Sequence, residues 1–255
     1  MPRVSVITPV LNAAEFLSDA IASLRWQTLA NWEHILVDDG STDGSLELIK
    51  MAVSTDPRMQ LLRSRGHSGP AKARNLGLEA ASGDYVAFLD ADDLWLPEKL
   101  DHCVSWMDSN DYDFVYHDYR LVSQDGKKIG AVIAGPDRLD SETLHTRRGV
   151  GCLTVVLSRR RIQDFRFPED HKGLNEDFVA WLRLLRGGHT GYRLPEDLAR
   201  HRLSGTSRNA NRLASAAACW RIYRDESDLP FGIAVKWWVE YAWRSFWMHR
   251  RAAPR

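Results

Sequence analysis

The sequence predicts an α/β protein, one domain built on a mostly parallel central sheet and followed by a helical tail. Three features say so. Short, β-branched apolar runs alternate with segments of helical period from Val4 to Met107, the pattern of successive βαβ units. The links between these runs are short, and no internal repeat or low-complexity linker marks a second domain. Beyond residue 206 the chain becomes Ala-rich, then Trp- and Arg-rich, at helical spacing.

Each element has its own signal. VSVITPV, residues 4–10, is the almost wholly apolar run of a strand buried on both faces. Phe16, Leu17, Ala20, Ile21 and Leu24 then recur at helical spacing. A second strand covers residues 35–37, and Leu46, Ile49 and Val53 mark the next helix. MQLLRS reads as a short strand, GPAKARNLGLEAAS as a helix and DYVAFLD as a strand that runs into DADD. A helix follows from Leu96-Pro97, with Leu100, Val104 and Met107 on its apolar face. Residues 113–133 form a hairpin turning at Asp125-Gly126, and CLTVVLS is a further strand. NEDFVAWLRLLRGG is a helix with Asn175 as N-cap and Gly187 as stop. Its Trp181, Leu182 and Leu185 face the core. Residues 209–225 and the tail from Phe231 are helical.

The 255 residues are 44% hydrophobic and 27% charged, as in an ordinary globular chain. Lysine plus arginine equals aspartate plus glutamate, 34 each, so no global charge points to nucleic acid. Cys103, Cys152 and Cys219 lie far apart without CxxC spacing, which disfavours a disulfide framework or zinc site and suits a reducing cytosol. No apolar run approaches a membrane span, and the first twelve residues are too short and too broken by Pro9 for a signal peptide.

In an open parallel sheet, ligands bind beyond the carboxyl ends of the strands. Three polar groups fall at such ends: Thr8 and Pro9 through Asn12, Asp38 to Ser41, and Asp90 to Asp93. Parallel strands carry all three to one edge. Alone, DDGSTDGS suits a capped turn as well as a site where Asp39 accepts the ring N–H of a pyrimidine. DADD lacks the remaining ligands of a calcium loop, whereas Asp-x-Asp suits magnesium or manganese, which take few protein oxygens and the rest from phosphate and water. Asp93 is placed to cap the following helix. GxGxxG, GxxxxGK[ST], HExxH and GxSxG are all absent.

Together, VSVITPVLNAAEFLSDAIASLRWQT, ILVDDGSTDGS, GPAKARNLGLEAASGDYVAFLDADD and NEDFVAWLRLL resemble glycosyltransferase family two, from about Val4 to about Asn209. The resemblance implies a GT-A fold, a single Rossmann-like domain over residues 1–205. Its donor-binding part would be 1–112 and its acceptor part 113–205, with residues 206–255 a C-terminal helical tail. It implies inverting transfer of a sugar from a nucleotide-sugar, usually a UDP-sugar, with magnesium or manganese. Pro9 and Asp39 fall where the family contacts uracil, with Thr8 and Asn12 beside them; Asp90 falls near the ribose, Asp92 on the metal ligand and Asp177 on the general base. Arg74, in the ARN stretch, falls on the donor side. In the family's late YRxH segment this chain reads HRLS, so His201 takes the Tyr place and Ser204 the His place. The QxxRW signature of processive polymerases is absent, which implies one sugar per encounter.

On this reading the metal eases departure of UDP and Asp177 takes the acceptor's proton. Glu176 and Asp177 also suit a plain helix start, where acids complement the dipole. A nucleotidyltransferase is the alternative chemistry, but TPVLNAAEF has no Lys, Arg or Gly for a triphosphate; an inactive nucleotide-sugar-binding scaffold is the alternative class. Acceptor choice falls to residues 113–175, where Arg147-Arg148 and Arg159 to Arg161 are either solvated surface or a site for a phosphate-bearing, lipid-linked glycan acceptor. The tail from residue 231 carries five basic residues and one acid, a net 5 − 1 = +4. Residues 231–251 are expected to attach peripherally to the cytoplasmic face of the inner membrane, with packing on the domain or on a second copy as the alternatives. The expected setting is cytoplasmic, in bacterial surface or exopolysaccharide synthesis.

Overall fold

The sheet is assembled from β1 (Val4–Val10), β2 (Trp32–Asp38), β3 (Met59–Arg63) and β4 (Tyr85–Phe88), which run parallel in the order β3-β2-β1-β4. The helices between them are α1 (Leu17–Arg25), α2 (Ser45–Thr55) and α3 (Pro70–Ala80). Then come β5 (Leu94–Trp95), α4 (Lys99–Asn110), β6 (Phe114–Ser123), β7 (Ile129–Ile133), β8 (Arg138–Leu139), α5 (Ser141–Thr146) and β9 (Val156–Ser158). The chain ends through α6 (Glu176–Arg186), β10 (Gly191–Leu203), α7 (Arg212–Asp225) and α8 (Phe231–Ala252). The computed structural model describes residues 1–147, 149–170, 176–203, 212–225 and 229–252.

The full order is β3-β2-β1-β4-β9-β6-β10-β5, with β7 on β6 and β8 on β10. β9 enters antiparallel between β4 and β6, so β6 and its parallel partner β10 point the same way as β4. The sheet is thus mostly parallel, and its central strands are buried on both faces, as the apolar run of β1 requires. α1, α2 and α4 cover one face through Leu17, Leu24, Ile49, Leu100 and Met107. α3 and α6 cover the other, joined there by Tyr223 of α7 and Ala234 of α8. The tail helices therefore share the domain's core. Gly77 lets α3 press on β1: a Cβ there would lie 2.5 Å from Ile7.

Because α1 and α2 lie on one face and α3 returns across the other, the strand order reverses between β1 and β4. That reversal opens a crevice at the carboxyl ends of these strands, where residues 9–12, 38–41 and 90–93 all fall.

Several expectations change. CLTVVLS is not one strand: Cys152–Thr154 form a 3-10 turn, with the Thr154 hydroxyl donating to the Gly151 carbonyl at 2.8 Å, and only Val156–Ser158 pair. α4 begins at Lys99, after Leu96-Pro97, and Asp93 does not cap it. The long β10 carries no alternation that announces it, because register shifts between Leu194 and Ala199 accommodate Pro195, which cannot donate to the ladder. The hairpin turns at Asp125-Gly126 as expected, with Gly126 at φ 74°. Asn175, the expected cap of α6, lies outside the described residues.

Candidate active site

α6 is seated by aromatics. Trp181 is fully buried and stacks on Phe165 with ring centroids 5.7 Å apart, and both rings lie within 6.2 Å of Phe88. Phe88 closes β4 two residues before Asp90, and Trp181 lies one turn beyond Asp177. The aromatic cluster therefore brings the start of α6 to the end of β4.

A buried arginine completes the join. Arg74 of α3 is 3% exposed; its guanidinium donates to Asp90 at 2.6 Å and to Glu176 at 3.0 Å. It also lies 5.3 Å from the Phe167 ring, and Asn75 beside it donates to the Phe167 carbonyl at 2.9 Å. Charges on both sides hold the guanidinium protonated although burial opposes it. Arg74, expected on the donor side, ties the Asp-x-Asp segment to the helix that bears Asp177.

Asp177 is partly buried and accepts the Phe178 N–H at 2.8 Å. Burial, with the charge of Glu176 next, raises its carboxyl to about 6; the Phe178 N–H and Arg74 pull the other way, and Asp90 adds to the rise. The helix dipole expected to favour ionisation is thus outweighed by desolvation.

Asp90 and Asp92 are part-exposed at the same edge. Asp93 is fully buried and accepts the Arg202 N–H at 2.9 Å and His201 Nδ1 at 3.0 Å. Burial opposes charge on His201, but Asp93, followed by Asp92 and Asp90, raises the imidazole to about 9 and keeps it cationic at neutral pH. Arg202 is buried; it donates to the Asp92 carbonyl at 3.0 Å, the Gln124 carbonyl at 2.7 Å and Asp19 at 3.0 Å. One side chain thereby fastens the acidic loop to α1, the β6–β7 turn and β10. Arg202→Met removes three hydrogen bonds to part-buried or exposed acceptors and is expected to cost about 1–3 kcal/mol of stability; urea unfolding measures it, and an unchanged midpoint refutes the role. Sequence reasoning missed Arg202 because its partners lie 78 to 183 residues away. Ser204 lies outside the described residues.

The first two strand ends hold one another. Asn12, at φ 51°, accepts the Thr42 N–H at 2.8 Å, and its own N–H reaches Ser41 at 3.1 Å. The Ala13 N–H donates to Ser45 at 2.9 Å and the Ala14 N–H to Asp43 at 3.0 Å. Asp39 is buried and accepts from the Ser64 hydroxyl, from Ser68 N–H at 2.9 Å, Ser68 hydroxyl at 2.6 Å and Gly69 N–H at 2.8 Å. Burial works against ionisation, but the donors of Ser64, Ser68 and Gly69 together keep the carboxyl below its ordinary range. Three of these donors converge on Oδ1 and only the Gly69 N–H reaches Oδ2, so the carboxylate is fixed by the loop and Oδ2 keeps a lone pair. Thr8 is fully buried, with its hydroxyl 2.8 Å from His34 Nε2. Pro9 is partly exposed at the edge.

The basic cluster at 159–161 lies at the other end of the sheet. Arg159 donates to the Gly83 carbonyl at 2.7 Å; Arg160, paired with Asp84, and Arg161, paired with Asp111, line a polar cavity of about 280 Å³. Asp84 precedes β4 whereas Asp90 follows it, so this cluster does not serve the carboxylates. Arg147 is exposed, and Arg148 lies outside the described residues.

Two part-exposed carboxylates are hard oxygen donors. No group of three or more His, Cys, Asp or Glu side chains that could hold a metal converges among the described residues. That set fits magnesium or manganese, which accept one or two carboxylates and complete their shell with phosphate and water.

The family model for glycosyl transferase family 2 matches residues 5–163. The chain is 36% identical over 241 residues to TuaG of Bacillus subtilis (strain 168), a glycosyltransferase named for teichuronic acid biosynthesis, covering 94% of this chain and 95% of TuaG. It is 35% identical over 228 residues to Escherichia coli WfgD, a UDP-Glc:alpha-D-GlcNAc-diphosphoundecaprenol beta-1,3-glucosyltransferase, covering 89% and 87%. Among solved structures, S. aureus TarS 1-349 in complex with UDP-GlcNAc superposes with a TM-score of 0.72 at 19% identity, covering 96% of this chain and 73% of that one. The chain spans 44% of the longer TarS chain. The mannosyltransferase PcManGT of Pyrobaculum calidifontis, in complex with GDP-Man and Mn2+, gives 0.69 at 20% identity, covering 99% and 73%.

Proposed function

The chain belongs to glycosyl transferase family 2, and from that premise we propose that it moves one sugar from a UDP-sugar to an acceptor hydroxyl, inverting the anomeric carbon. The observation that supports this best is the Arg74 tie, which puts Asp90 and Asp92 at the sheet edge beside the helix start bearing Asp177.

Asp92 would hold magnesium or manganese, with Asp90 beside it steadied by Arg74. When bound, the cation neutralises the diphosphate as it departs. The protein supplies the rest. Asp39 holds the Ser64–Gly69 segment as one wall of the base site, with Pro9 at its side. Asp177 receives the acceptor hydroxyl's proton as that oxygen attacks the anomeric carbon opposite the departing diphosphate. One displacement inverts the centre, and no covalent nucleophile is required. The name of WfgD gives a beta-1,3 linkage made from UDP-Glc, the outcome of one displacement on an α-configured donor.

The names of TuaG and WfgD point to cell-surface polysaccharide and to a lipid diphosphate acceptor. We assign this chain the same acceptor class, a lipid-linked glycan, used at the cytoplasmic face of the inner membrane. A panel of UDP-sugars with manganese, assayed for slow hydrolysis and for transfer to a diphosphoundecaprenol-linked sugar, tests the reading. A β-linked product from an α-donor is expected. A retained anomer would overturn single displacement, and binding of UDP-sugar without hydrolysis or transfer would leave the scaffold alternative.

A further inference from the structure

We infer that α8 and the edge strand β7 form a docking surface for an anionic lipid bilayer. Among the described residues, exposed large apolar side chains concentrate on these two neighbouring elements: Ile129 and Val132 on β7, and Phe231, Ile233, Val239 and Trp243 on α8. Trp243 is 65% exposed and Val239 54%. Among the described side chains of α8, one face is packed and another is exposed. Ala234 is buried in the core, and Trp237 and Trp238 pack against it. That fixes the helix so that Lys236, Val239 and Trp243, spaced three and four apart, share the outward stripe.

The chemistry of the stripe selects its occupant. An outward Trp with aliphatic neighbours suits the headgroup region. Lys236 sits in the stripe itself, Lys127 and Lys128 are exposed on the turn leading into β7, and the sequence from residue 231 has a net charge of 5 − 1 = +4. A second copy of the same surface would set like charges against each other, whereas anionic headgroups neutralise them. No described helix is long and apolar enough to cross a membrane, so α8 lies in the interface. The placement is also apt. The β6–β7 turn offers its Gln124 carbonyl to Arg202, which holds the Asp92 carbonyl as well. Docking through β7 and α8 would thus bring the carboxylate edge of the sheet close to the headgroups. This deepens the reading of a lipid-linked acceptor, but it is measured without turnover.

The test is flotation of the full-length protein with vesicles of phosphatidylcholine alone or with about one-third phosphatidylglycerol. Wild type should float with the anionic vesicles, several-fold less with neutral ones, and less in high salt. The double variant Val239→Glu/Trp243→Glu should lose flotation about tenfold or more. Ile129→Glu, on the other element, should lose part of it. UDP-sugar hydrolysis should be unchanged in each, since none of these residues touches the site. Wild type that stays with the dense fraction, or variants that float equally well, would overturn the inference. So would a dimer in light scattering that the double variant dissolves while wild type ignores vesicles.

Discussion

Asp92→Asn should abolish transfer, by about 10²–10³-fold or more, in a protein that still folds. The substitution keeps the side chain's shape and removes its charge. Asp92 is part-exposed, and its backbone carbonyl, which holds Arg202 at 3.0 Å, survives the change. The loss should have a particular form. UDP affinity by calorimetry should fall at least tenfold when manganese is present and be unaltered when it is chelated, because the missing charge acts on the cation and the nucleotide contacts persist. Wild-type activity should disappear with chelator and return with manganese or magnesium. Full activity in chelator would remove the role given to Asp92. Equal weakening with and without manganese would turn it into a direct nucleotide contact. Asp93→Asn offers the contrast: it disturbs a buried carboxylate that accepts from His201 and Arg202, so stability should fall as well as activity.

The edge that carries these carboxylates was legible because it comes from topology. VSVITPV and YVAF are uniformly apolar, which specifies buried strands, and parallel strands deliver the residues after them to one side. Asp39, Asp90 and Asp92 needed nothing more to be placed. The contacts of their side chains were not legible. Asp39 is held by Ser64, Ser68 and Gly69, a loop some thirty residues on with no periodicity to reveal it. Thr8 looks like a strand-end residue, yet its neighbour across the sheet is a buried His34, held down to about 3 chiefly by its own burial. Arg74 and Arg202 are buried cations satisfied by carboxylates and carbonyls from distant segments. Local pattern describes a helix face or strand face; it does not describe which remote acid a buried arginine will meet. β10 was missed for a related reason, since its Pro-Glu-Asp bulge hides the strand and only pairing with β6 reveals it. The helix bearing Asp177 was legible as a helix, but the origin of its raised carboxyl was not, because burial against neighbours supplies it.

That raised carboxyl makes Asp177 the sharper test. Asp177→Asn should lower kcat by about 10²–10⁴-fold, the usual contribution of a general base, while UDP affinity stays within about twofold, because the group meets the acceptor's proton and not the nucleotide. The wild-type pH profile should report the same group. Only the ionised carboxylate accepts a proton, so turnover should rise with pH, reach half its plateau near pH 6 and fall about tenfold per unit below that. Stability should move the opposite way. The carboxyl lies above its ordinary value in the fold, so the native state binds the proton more tightly than the unfolded chain does. The stability this supplies is complete below the ordinary value of 3.8 and is lost as pH rises through about 6. Asp177→Asn, neutral throughout, should therefore melt higher than wild type at pH 7 and show no such advantage near pH 3.8 or below. A site that sacrifices stability at neutral pH to keep a base ready behaves in this way; a helix-capping carboxylate does the reverse, because its removal destabilises most where it is ionised. Lower melting of the variant at pH 7, or matching losses of turnover and UDP affinity, would return Asp177 to a structural role at the start of α6.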